Sequence, residues 1–127
     1  MNKTVLLISE LLQDLNRMKD WFPDDYRIKG VNSYSAVPNA LRSELPGIVL
    51  MRIRRLDDFF GTYELLRTSA YNADTPIIAI ADIGVQSALA KNVELRNARI
   101  IGSSVTDENM IKIVADVLGV EIEEDKE

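Results

Sequence analysis

Five short apolar runs, separated by stretches in which apolar residues recur at helical spacing, organise this chain from end to end. The runs are Thr4-Val5-Leu6-Leu7-Ile8, Tyr26 to Val31, Ile48-Val49-Leu50-Met51, Ile77-Ile78-Ala79-Ile80-Ala81 and Ala98 to Ile101. They have strand length, and most are rich in branched side chains. The first, third and fourth are almost continuously hydrophobic, the mark of strands covered on both faces. Strands that alternate with helices predict an α/β fold: a doubly wound, five-stranded parallel sheet with helices on both sides.

Leu11, Leu15, Met18 and Phe22 recur at spacings of four, three and four, predicting a first helix that Pro23 ends. A short helix is expected over Ala36 to Ser43, with Ser35 as its N-cap and Pro38 in its first turn. Pro46-Gly47 stops it. A third helix follows Asp57 and Asp58, with Tyr63, Leu65 and Leu66 inward and its end near Asn72. Val85 to Asn97 reads as a weakly amphipathic fourth, through Ala88, Leu89, Val93 and Leu95. The last carries Met110, Ile113, Val114, Val117 and Leu118 on its buried face and Gly119 as its C-cap. Residues 1–119 are thus expected to form one domain, and 120–127 an acidic tail or the start of a linker.

Composition narrows the chemistry. With 127 residues the chain suits a single core. Cysteine and histidine are both absent, which removes disulfides, thiolate nucleophiles, imidazole bases and most zinc sites. A net charge of -5 argues against direct nucleic-acid binding. No apolar run is long enough to span a membrane and no signal-type segment is seen, so a cytoplasmic location is expected. The glycines lie singly and form no phosphate-binding loop.

In a doubly wound sheet, ligands sit beyond the carboxyl ends of the strands, here the loops after Ile8, Met51, Ile80 and Ile101. With those ends located, the chain resembles the receiver domains of bacterial response regulators from about Thr4 to Gly119. The resemblance implies a flavodoxin-like (CheY-like) sheet in the order 2-1-3-4-5. It also implies two acids after the first strand, a phosphorylatable Asp ending the third, Thr or Ser ending the fourth, and Lys-Pro after the fifth. In Val5-Leu6-Leu7-Ile8-Ser9-Glu10, Ser9 takes the first acidic place and Glu10 the second. In Ile48-Val49-Leu50-Met51-Arg52, Arg52 stands at the phosphoacceptor. Ala81 stands where the switch hydroxyl would be, and Ser103 and Ser104 where Lys-Pro would be. Only Glu10 keeps the family's residue type.

Phosphoryl transfer to a carboxylate needs an anionic nucleophile, a magnesium ion and donors for the developing charge. Arg52 is permanently cationic and repels a divalent ion that only Glu10 and Asp82 remain to bind. The expectation is a degenerate pseudo-receiver, with no catalytic residue, metal or cofactor, and an Arg52 to Glu10 ion pair in place of the metal. It would act by contact with a regulatory protein. The resemblance also implies dimerisation through helix 4, strand 5 and helix 5, a surface including Lys91, Glu94, Arg96, Arg99, Lys112 and Asp116.

The alternative is a sensor of a small anion or nucleotide, bound by Arg52, Ser103 and Ser104. Against it, Arg54 and Arg55 read as solvated charges. Asp57 and Asp58 read as first-turn acids favoured by the helix dipole rather than as metal ligands. Ser9, Ser103 and Ser104 lack a base to make any of them a nucleophile. Phe22 is expected to cap the core, one of Phe59 and Phe60 to enter it, and Trp21, off the apolar stripe, to be a partner anchor.

Overall fold

The computed structural model describes residues 2–91 and 95–121. Its five strands are β1 (Thr4–Ile8), β2 (Arg27–Val31), β3 (Ile48–Ile53), β4 (Ile77–Ala81) and β5 (Ala98–Gly102). They form one parallel sheet in the order β2-β1-β3-β4-β5. Between them run α1 (Leu12–Met18), α2 (Val37–Ser43), α3 (Leu56–Arg67), α4 (Ile83–Ala90) and α5 (Asp107–Leu118). The expected doubly wound sheet and strand order are therefore found.

Strand side chains alternate between two apolar layers, as period-two geometry requires. Leu6, Ile8, Val49, Met51, Ile53, Ala79 and Ala81 pack with Val37, Leu41, Phe59, Leu66 and Leu89 from α2, α3 and α4. Val5, Leu7, Ile48, Leu50, Ile78 and Ile80 pack with Met18, Trp21 and Phe22 from the first helical segment and with Met110 and Val114 of α5. Both faces are covered, which is why the strand sequences are continuous apolar runs.

The helix ends follow local chemistry. Thr106 caps α5, its Oγ1 accepting from the Asn109 amide at 3.1 Å, and Gly119 closes it in the left-handed region at φ 71°. At Gly47 the chain approaches so closely that an added Cβ would lie 2.3 Å from the Asn2 carbonyl oxygen. Arg67, at the end of α3, donates to the carbonyls of Arg96, Asn97, Thr75 and Asn72, its shortest bond reaching Arg96 at 2.6 Å. Its guanidinium also lies 5.0 Å from the centre of the Tyr63 ring. One side chain thus ties α3 to the loops before β4 and β5.

Several boundaries differ from expectation. The first helix is regular only to Met18 and tightens into a 3-10 turn over Lys19–Trp21. That change of winding packs Trp21 into the core layer, where it is only 4% exposed rather than projecting into solvent as expected. Phe22 and Phe59 are buried as expected. Ser33 rather than Ser35 supplies the cap hydroxyl ahead of α2, because a 3-10 turn over Tyr34–Ala36 precedes that helix. β3 continues through Arg52 to Ile53. Leu65 faces outward at 37% exposure. α4 begins at Ile83 and ends at Ala90; Val93 and Glu94 lie outside the described residues, as does the tail from Ile122.

Candidate functional site

Arg52 continues the β3 alternation after Ile48 and Leu50, so its stem enters the layer under α1 and α5 while Ile53 enters the other. In the sheet it lies opposite Ile80. That register brings its guanidinium to the carboxyl end of β4. One nitrogen, Nη1, donates to the carbonyls of Ile53 at 2.9 Å and Ile80 at 3.3 Å. The other, Nη2, donates to Asp82 Oδ1 at 2.8 Å. The Arg52 side chain is 18% exposed and Asp82 59%, so the pair joins a largely covered cation to an open carboxylate.

Ser103, after β5, faces the same carboxylate. The Ser103 hydroxyl and the Arg52 guanidinium hold the Asp82 carboxyl below the usual carboxylate range. The Ser103 amide is engaged as well, donating to the Ala81 carbonyl at 2.9 Å. Arg52 and Ser103, which the alternative reading assigns to a diffusible anion, converge on a carboxylate supplied by the chain itself. Ser104 is exposed beyond them.

The expected Arg52 to Glu10 pair does not form. Glu10 instead accepts from Arg55 Nη2 at 3.4 Å, and Arg55 Nε lies 3.4 Å from Asp58 Oδ2. The reason is directional: Arg52 points under α1 with Asp82 in reach, whereas Arg55, just past the strand, extends over the β1 loop. Arg54 is exposed. Asp57 and Asp58 lie in the first turn of α3, where they favour the helix dipole.

Ser9 is buried, at 1% exposure. Its Oγ donates to Asp14 Oδ2 at 2.8 Å and accepts from the Leu11 amide at 3.2 Å, so it shapes the start of α1. Ala81 is buried with its methyl group in the α2–α4 layer. Tyr34, to which sequence reasoning assigned no role, donates its hydroxyl to the Arg52 carbonyl at 2.6 Å. Burial pushes that phenol up, with Asp58 and Glu10 adding to the effect.

Asp107, the first residue of α5, makes a second contact of this kind. It accepts from Arg17 Nε at 2.6 Å and from Trp21 Nε1 at 2.9 Å, and Arg17 also stacks on the Trp21 ring at 5.3 Å. Arg17 and Trp21 hold the Asp107 carboxyl below its ordinary range. Between this cluster and Arg52 lies a cleft of about 30 Å³, lined by Asp14, Arg17, Trp21 and Ser103 among others. It has room for a water molecule and little more. Among the described residues no three acidic side chains converge as metal ligands. No helix among them is long and apolar enough to cross a membrane.

No protein-family model matches the sequence, and no curated protein matches it. Solved structures do. A signal receiver domain of a two-component histidine kinase from Clostridium thermocellum superposes with a TM-score of 0.73 at 16% identity, covering 94% of this chain and 100% of that one. The signal receiver domain of a signal transduction histidine kinase from Syntrophus aciditrophicus gives 0.76 at 14% identity, covering 98% and 97%. The bacteriophytochrome response regulator RtBRR gives 0.73 at 16% identity, covering 100% and 84%. At these identities the likeness is one of architecture, and the chain has the flavodoxin-like fold of receiver domains.

Proposed function

We propose that residues 1–119 form a pseudo-receiver: a non-enzymatic, cytoplasmic domain that is neither phosphorylated nor metal-bound. It acts by contact with a regulatory protein in signal transduction or transcriptional control. The observation that carries this reading is Arg52, at the carboxyl end of β3, held by Asp82 at 2.8 Å. A guanidinium has no lone pair with which to accept a phosphoryl group, and its charge opposes a divalent ion nearby. Ser9 spends its hydroxyl on Asp14 and the Leu11 amide, and Ala81 offers no hydroxyl. The likeness to receivers of two-component systems supports the signalling assignment.

The test is exposure to acetyl phosphate, and separately to beryllofluoride with magnesium, followed by intact mass and fluorescence. The expected result is no phosphoryl adduct and no magnesium-dependent change. Stoichiometric labelling overturns the proposal. Arg52→Asp serves as the comparison, since it returns a carboxylate to the strand end.

Dimerisation through α4, β5 and α5 is part of the same proposal. On that face Arg99 pairs with Asp116 at 2.6 Å and Lys112 lies 3.6 Å from Glu108, so much of its charge is matched within the chain. The alternative, sensing of a small anion or nucleotide, is disfavoured by Asp82 occupying the donors and by the 30 Å³ cleft. Small-molecule sites run to roughly 300–1,000 Å³.

A further inference from the structure

A larger feature adjoins the Arg52 cleft through Trp21, whose ring borders both. A trough of about 950 Å³ runs between the segment that follows α1 and one side of α5 with the residues just after it. Trp21, Phe22 and Tyr26 form one side of its floor, and Ile111, Ala115 and Val120 the other. Ile111 is 37% exposed although it lies beside this apolar surface.

The rim is acidic. Asp20, Asp24, Asp25 and Glu121 line the trough, and among the described residues Lys3 is its one cation. Lys3 is committed to Asp25, to which it donates a hydrogen bond, and sits 5.7 Å from the Tyr26 ring centre. Asp20, Asp24 and Glu121 meet no cation among the described residues. An apolar floor edged by unpaired carboxylates complements a segment that is apolar on one face and basic on the other.

We infer that this trough is a docking site for a basic amphipathic helix of a partner protein. Charge selects that occupant over the chain's own C-terminus. Residues 121–127 contain Glu121, Glu123, Glu124, Asp125 and Glu127 against the single Lys126, the wrong sign for this rim. It also disfavours a second copy of the same face, which would set like charges against each other.

The probe is a fluorescein-labelled helical peptide with leucine at i, i+3, i+4 and i+7 and lysine elsewhere, titrated into the full chain. A leucine–glutamate peptide of the same pattern is the control. Saturable binding of the basic peptide is expected, with the Trp21 indole and Ile111 methyl signals shifting in NMR spectra. Asp20→Lys with Asp24→Lys should weaken it by about tenfold or more, since these exposed positions reverse the rim charge without touching the core.

The inference is overturned by no saturable binding, by equal binding of the acidic peptide, or by a footprint away from Trp21 and Ile111. Binding that appears only after residues 122–127 are removed would assign the trough to the tail, and concentration-dependent dimerisation through the same residues would assign it to a second copy. Either also overturns it. None of these results bears on whether Arg52 blocks phosphorylation, which the labelling experiment reads separately.

Discussion

The Tyr34 hydroxyl donates to the main-chain carbonyl of Arg52 at 2.6 Å, linking the turn before α2 to the strand that presents the guanidinium. Tyr34→Phe leaves that partly covered carbonyl without its partner. The expected cost is about 1–2 kcal/mol in denaturant unfolding, since an unsatisfied buried acceptor loses more than an average hydrogen bond contributes.

The same residue sets an alkaline limit. Its folded pKa is raised by burial, so the folded state holds the phenolic proton that an unfolded chain gives up near pH ~10. This contribution is intact below that pH and is lost progressively above it. Tyr34→Phe should flatten the alkaline limb of the stability–pH curve relative to the parent protein, and parallel curves would refute the assignment.

Arg52 and Glu10 belong to separate ion pairs. The losses from Arg52→Ala and Glu10→Ala should therefore add to within roughly 0.5 kcal/mol, as for independent sites. Arg52→Ala combined with Asp82→Asn should be non-additive, because each removes the other's partner. A double-mutant cycle by urea unfolding measures both. Strong coupling of Arg52 to Glu10 would contradict the geometry.

Trp21 is the chain's one tryptophan and donates to Asp107, so intrinsic fluorescence reports that carboxylate. Asp107 is held below its ordinary value by Arg17 and Trp21. Its contribution to stability is present above the usual Asp range near pH ~4 and is lost as pH falls through the lower folded value. The emission should titrate with a midpoint under ~4, and Asp107→Asn should abolish that step.

Arg67→Ala should cost about 2–3 kcal/mol, because four carbonyls lose a charged donor at once. Arg67→Lys should recover little of this, as an ammonium cannot span partners on two loops. Thermal unfolding together with amide exchange at Asn97 and Ala98 checks the effect.

How much of this could be read from residues alone depended on where the information was stored. β1, β3 and β4 were plain because burial on both faces leaves unbroken apolar runs such as Ile77 to Ala81. Arg52 stood out for the same reason, as a charge following such a run. Its partner did not, because choosing Asp82 over Glu10 needs the β3–β4 register, which pairs Arg52 with Ile80 and is absent from any local pattern. Trp21 was misjudged because a helical wheel assumes constant winding, and the 3-10 turn from Lys19 breaks it. The end of α4 differs from expectation because Ala88 and Leu89 carry a weak stripe that Leu95 prolongs in the sequence but not in the helix. Tyr34 and Asp107 make contacts across 18 and 86 residues, distances at which spacing carries no signal.

The layer under α1 and α5 has a consequence for how the protein is made. Met18, Trp21 and Phe22 leave the ribosome well before their partners Met110 and Val114. Until then one face of β1 and β3 has only the first helical segment to cover it, leaving Val5, Leu7, Ile48 and Leu50 incompletely shielded. A nascent chain stalled before α5 would present that surface to chaperones, and shortening the α5 segment should show first as lost soluble yield.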